Sequence, residues 1–135
     1  MGYSHYWTTK SEPLPSDWQK FFEGAIEIIN TAKEAGIDLE DNSDKAGWVI
    51  NINGVGANAH ESFVLDSGDE LGFNFCKTAE KPYDAVVTAI LIHAKKILGD
   101  AIEIKSDGDW KDWESGQLLY ESVYDIQPEN VLANA

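Results

Sequence analysis

The stretch that decides the fold is "FNFCKTAEKPYDAVVTAILIHAKK", Phe73 to Lys96. Its first part alternates large apolar residues with small or polar ones, so that Leu71, Phe73 and Phe75 share one face of a strand. Its second part carries an apolar pattern of helical length, through Tyr83, Val86, Val87, Ile90, Leu91, Ala94, Ile97 and Leu98 to Gly99, with Pro82 suited to the first turn. That helix is apolar on more than one side, which places it deep in the domain. Between strand and helix stand Lys77, Thr78 and Lys81, two of only ten basic residues in a chain of formal charge −14.

Upstream, "GYSHYWTT" reads as a first strand with Tyr3, His5 and Trp7 on one face and Ser4, Tyr6 and Thr8 on the other. After the break "SEPLP", Ser16 and Gln19 have capping-box spacing. Apolar residues then recur from Trp18 through Phe21, Phe22, Ala25, Ile28, Ile29 and Ala32 to Ala35, and Gly36 sits where a helix C′ glycine belongs. An acidic loop, "IDLEDNSDKAG", leads to the strand "WVINING". The segments "ESFVLD" and "ELGFNFCKT", joined by the turn "DSGD", complete an expected antiparallel meander. Downstream, "AIEIK" is a strand, and "SDGD" starts a third helix carrying Trp110, Trp113, Leu118, Tyr120 and Tyr124, weakened by Gly116.

This order predicts one α+β domain over residues 1–135: two layers, about five mostly antiparallel strands covered by two to three helices. A smaller parallel α/β sheet with a hairpin excursion is the alternative. Residues 129–135 are expected to fray.

Composition narrows the function classes. The length of 135 residues suits a single core, and the 43% hydrophobic and 25% charged content is that of an ordinary globular chain. The apolar run Ala85–Ala94 is too short to span a bilayer, no signal-peptide pattern opens the chain, and Tyr6 breaks the myristoylation pattern. With a lone cysteine, Cys76, neither an internal disulfide nor a cysteine zinc site is available, so a reducing cytoplasm is the expected compartment. All ten basic residues are lysine. The absence of arginine argues against direct nucleic-acid reading but leaves room for an isolated basic pocket. The acidic surface either keeps the protein soluble or imitates DNA before a basic partner.

The candidate site follows from the opening stretch. A strand ending near Cys76 and a helix starting near Pro82 would set Lys77, Thr78 and Lys81 around free helix N–H groups, a place for a phosphate or carboxylate. Solvated lysines paired with Glu80 and Asp84 are the structural alternative. His5, Trp7 and Tyr83 would supply an aromatic wall for a planar ring if the first strand lies beside "FNFCK". The expected ligand-binding set is thus His5, Trp7, Lys77, Thr78, Lys81 and Tyr83. No Gly-rich phosphate loop accompanies it. The cluster Asp107, Asp109 and Asp112 reads as helix capping by Asp107 or Asp109 rather than as metal ligands, and His5, His60 and His93 are too dispersed for a metal motif. Cys76 reads as a packed thiol rather than a nucleophile. No catalytic residue, metal or cofactor is assigned.

The segments "GYSHYW", "FNFCKTAEKPYDAVVTAILIHAKKILGD" and "IKSDGDW" together resemble a family of small proteins encoded in bacteriophages and some bacterial genomes. Its members start Gly-Tyr-Thr-His-Tyr-Trp, carry Phe-Cys-Lys-Thr-Ala with Lys-Pro-Tyr-Asp shortly after, and have Ser-Asp-Gly before a Trp. Position 4 is Ser here. The family has no settled biochemical role; the resemblance implies a phage-related accessory protein, cytoplasmic in the host cell, of the kind that acts against host defence. Three readings follow: a binding protein that captures an anionic, nucleotide-like ligand without turnover; an acidic, DNA-mimic-like inhibitor of a host defence protein; and a hydrolase or transferase using His5 or Cys76.

Overall fold

The computed structural model describes residues 3–66 and 72–133. Six strands and three helices alternate: β1 (Ser4–Thr9), α1 (Pro15–Glu34), β2 (Glu40–Asp41), β3 (Val49–Asn53), β4 (Phe63–Asp66), β5 (Gly72–Lys77), α2 (Asp84–Leu98), β6 (Ile102–Ser106) and α3 (Glu114–Tyr124). The domain is α+β, and both of its sheets are antiparallel, with strand orders β5-β1-β6 and β2-β3-β4.

The expected meander therefore splits. β3 and β4 pair, but β5 crosses to β1, in a register that sets His5 against Cys76 and Ser4 against Lys77. The C-terminal end of β5 fixes its phase: Cys76 and Thr78 are fully buried, which turns Phe73 and Phe75 outward. The two sheets meet where the Glu61 N–H donates to the Lys77 carbonyl (3.2 Å) and the Lys77 N–H donates to Glu61 Oε1 (2.8 Å). Edge-to-face packing of Trp7 on Phe63, with centroids 5.1 Å apart, ties their inner faces into one core.

α1 is amphipathic and buries Trp18, Phe21, Phe22, Ala25, Ile28, Ile29 and Ala32. Its start corrects the sequence reading. Pro15 takes the first helical position and no side chain caps the end, so the Ser16–Gln19 box does not form. Its end follows that reading: Gly36 has φ 95°, Gly36 N–H donates to Lys33 O, and Ile37 N–H donates to Ala32 O, a Schellman closure.

α2 is buried at every residue from Val86 to Ala94 and packs against α1, α3 and β6. It begins at Asp84, with Pro82 left in the preceding turn. The third helix divides into a 3-10 turn, Trp110–Trp113, capped reciprocally by Asp109 and Asp112, and α3 proper. Gly116, the residue that weakened the helical pattern, is what lets α3 approach α2. A Cβ there would stand 1.9 Å from Thr88 Oγ1.

Of the tail expected to fray, residues 129–133 are described. Leu132 pairs in parallel with Ile104, and Ala133 N–H donates to the Ile104 carbonyl at 2.8 Å. Among the described residues no helix is long and apolar enough to cross a membrane.

Candidate functional site

Three chain segments converge on the inner face of the β5-β1-β6 sheet: the start of β1, the loop from Thr78 to Asp84, and the turn after β6. His5, fully buried, lies at their centre. Ser106 Oγ accepts from Gly108 N–H (3.0 Å) and Trp113 Nε1–H (3.1 Å), which occupies both lone pairs of the hydroxyl. Its single proton is shared between His5 Nδ1, at 2.8 Å, and the oxygen of the Tyr3 phenol, both within hydrogen-bond reach. His5 Nε2–H then donates to Asp84 Oδ1 at 2.6 Å, and the Thr78 hydroxyl donates to the same oxygen at 2.5 Å. Tyr3 and Trp113 meet the imidazole edge-on, with centroids 5.1 and 5.0 Å away, and lock its plane. Burial first, and then the Asp84 carboxylate, push the Tyr3 phenol up to about 12, so it stays protonated at neutral pH.

The order Ser106, His5, Asp84 is that of a hydrolase triad. A nucleophilic hydroxyl, however, needs a lone pair free to attack, and both lone pairs of Ser106 Oγ already hold N–H donors. Cys76 is no better placed: its thiol is buried, contacts the Glu61 carbonyl at 3.5 Å, and is pushed up to about 12, chiefly by burial. The network suits structural locking rather than group transfer. No cluster of three or more His, Cys, Asp or Glu side chains that could hold a metal ion occurs among the described residues.

The helix mouth is likewise closed. Asp84, Ala85 and Val86 N–H groups donate to the Lys81, Pro82 and Tyr83 carbonyls, so the first turn of α2 offers an anion little. The carboxylate of Asp84 also stands there. Thr78 to Lys81 form a tight turn, Lys81 N–H to Thr78 O at 3.1 Å, with Ala79 and Glu80 at φ 53° and 57°. Two successive non-glycine residues in the left-handed region are strained. Both Thr78 and Ala79 N–H groups donate to the Tyr3 carbonyl, which holds the turn in place.

Four of the six expected ligand residues are thus inside the protein. His5, Thr78 and Tyr83 are fully buried, and Trp7 nearly so. Tyr83 donates its hydroxyl to the Glu61 carbonyl at 2.5 Å, and burial raises its pKa. Lys77 and Lys81 remain partly exposed. The six do not line one cleft, because β1 and β5 alternate and the hydrophobic inner face claimed His5 and Trp7. Asp84 and Ser106 were not foreseen in this network. A single Ser at a strand end has no pattern of its own; its only signal was the Ser-Asp-Gly segment that contributes to the resemblance.

The outer face of the same sheet is open. Strand register puts Tyr6 beside Phe75 and Lys105, and Thr8 beside Phe73 and Glu103, with Lys77 one pair further along. Phe73 and Phe75 are 62% and 55% exposed, far from the burial such rings normally find. Tyr6 stacks on Phe73 at 5.9 Å and Phe73 meets Phe75 at 6.2 Å, giving a row of three rings. Neither Lys77 nor Lys105 forms an ion pair among the described residues. The Tyr6 hydroxyl is anchored on Asp107 Oδ1 at 2.8 Å.

Compared with family models, curated proteins and solved structures, the chain matches none. The fold brings three segments together around His5: Tyr3 and His5 from "GYSHYW", Thr78 and Asp84 from "FNFCKTAEKPYD", Ser106 and Gly108 from "IKSDGDW".

Proposed function

We propose that this chain is a non-catalytic binding protein that captures an anionic, nucleotide-like ligand, held on the outer face of the β5-β1-β6 sheet. The observation that carries the reading is the exposed ring row Tyr6, Phe73 and Phe75 flanked by Lys77 and Lys105. A planar base stacks on such rings for about 1–3 kcal/mol, and an ammonium beside them compensates a phosphate. In a chain of charge −14, Lys77 and Lys105 offset Glu103 and Asp107 on this face, so an anion meets less repulsion there than the net charge alone would give. Of the ligand set read from the sequence, Lys77 keeps its role, and the rings of the outer face take over from His5, Trp7 and Tyr83. In the setting the resemblance implies, the protein is a phage-type accessory protein that withholds such a ligand from host defence.

Isothermal titration with AMP, GMP and cyclic mononucleotides tests it. Binding is expected, and Phe75→Ala and Lys77→Ala should each weaken it at least fivefold. No binding by any nucleotide, or full binding by both variants, overturns the reading.

A second reading has its own observation. Glu23, Glu27 and Glu34 on α1 and then Asp38, Glu40 and Asp41 are all exposed, an acidic side suited to a basic protein. Acting as a DNA-mimic-like inhibitor, the protein would form a salt-sensitive complex with a basic host protein, indifferent to Phe75→Ala and Lys77→Ala.

A further inference from the structure

The chain leaves α3 at Asp125, whose φ of 55° turns it back, and residues 126–133 return across the domain as a strap. Between the strap, α2 and β6 lies a cleft of about 790 Å³, within the range of small-molecule sites. Ile92, Ile104 and Tyr120 lie behind its wall in the buried core, and the apolar side chains with surface to offer, Ile126, Val131 and Leu132, come from the strap. Three of the ten lysines, Lys10, Lys95 and Lys96, stand in its wall.

These lysines are not equivalent. Lys10 is neutralised by Glu103 at 2.8 Å, and Lys96 is exposed. Lys95 is half-buried, and its ammonium donates to the Gly99 carbonyl (3.0 Å) and the Ile102 carbonyl (2.8 Å). An ammonium carries three N–H donors, so two carbonyl acceptors leave one donor over, and the charge is met by carbonyl dipoles and, at longer range, by Glu103. No carboxylate lies within ion-pair distance of Lys95 among the described residues. Held by two carbonyls, it is a fixed cation rather than a swinging one.

We propose that this cleft binds a small amphiphilic monocarboxylate, with the carboxylate on Lys95 and its hydrocarbon or aromatic part against Ile126, Val131 and Leu132 of the strap. One spare donor on an ammonium with no carboxylate in ion-pair contact fits a single carboxylate. A polyphosphate would meet Asp100, Glu103 and Glu129 in the same wall. The strap is held to β6 by the Leu132–Ile104 pairing and the Ala133 hydrogen bond, and closes over the ligand. Glu103 borders both this cleft and the outer sheet face, but none of the three rings lines the cleft.

Decanoate is the probe, titrated calorimetrically beside decanol and decylamine. Decanoate should bind at least tenfold more tightly than either, and Lys95→Met should remove that preference. Amide hydrogen exchange across residues 126–133 of the unaltered protein should slow severalfold when decanoate is present, a readout that needs no variant. Equal binding of decanol or decylamine, no binding of decanoate at millimolar concentration, or unchanged exchange in the strap overturns the proposal.

Discussion

The two faces of the β5-β1-β6 sheet are built from alternate residues of the same strands, yet they treat polarity in opposite ways. The inner face hides polar side chains, His5, Thr78 and Ser106, and pairs them with one another and with Asp84. The outer face shows apolar rings, Phe73 and Phe75, to water. Buried polar groups that close on one another hold a structure together, because any partner removed leaves another unsatisfied. Exposed rings in a row gain little from burial and form the kind of patch found at contact surfaces. The face that resembles an active centre by residue type is thus closed on itself, and the plainer face is the one on which we propose binding.

The largest expected effect breaks the inner face. Asp84→Ala strands His5 Nε2–H and the Thr78 hydroxyl, and should destabilise the protein by about 3–5 kcal/mol in urea unfolding. A loss below about 1 kcal/mol would show that the network does not hold the loop.

A second buried histidine sharpens the contrast. His93 has no hydrogen-bond partner at Nδ1, lies 5.0 Å from the parallel ring of Tyr124, and has its pKa lowered to about 4, chiefly by burial, with the nearby Lys20 carbonyl opposing this in part. The unfolded chain protonates this residue near 6.5 and the folded one only near 4, so the unfolded state binds more protons between those values. The stabilisation is complete above pH 6.5 and is lost as pH falls toward 4, about 3 kcal/mol in all. Urea titrations at pH 7 and pH 4.5 should show this slope, and His93→Phe should flatten it. An unchanged slope would place the acid sensitivity elsewhere.

Smaller and opposite in sign, Glu80→Gly relieves a left-handed residue in the Thr78–Lys81 turn and should stabilise by about 1 kcal/mol. A loss of stability would mean that the Glu80 side chain supports the turn. The smallest change in stability belongs to the outer face. Phe75→Ser should leave the unfolding free energy within about 0.5 kcal/mol, because its ring is mostly in water. A drop of 2 kcal/mol would make the ring structural and remove the distinction between the faces.

What could be read from the sequence follows the range of the forces involved. α1 was legible from Trp18 to its Gly36 stop, since periodicity and a C′ glycine are local signals. So was the depth of α2, from Val86 to Ala94. The phase of β5 was not legible. Phe73 and Phe75 look like core, and only the distant partners of Cys76 and Thr78 turn them outward. The burial of His5, Trp7, Thr78 and Tyr83 was not legible for the same reason: a strand displays one alternate set, and local pattern does not say which. Lys77 could be placed at a strand end; that Asp84 would fill the mouth of α2 depended on His5, far away in sequence.

The position of β1 also bears on synthesis. It is the central strand of its sheet, and both of its neighbours, β5 and β6, come much later in the chain. At about 5–20 residues per second, the first strand leaves the ribosome roughly 5–20 s before the last residues of β6. During that interval Tyr6, Trp7 and their neighbours have no sheet to join. For a nascent chain, the polar residues interleaved at Ser4, His5, Thr8 and Thr9 keep that waiting segment from becoming a continuous sticky run.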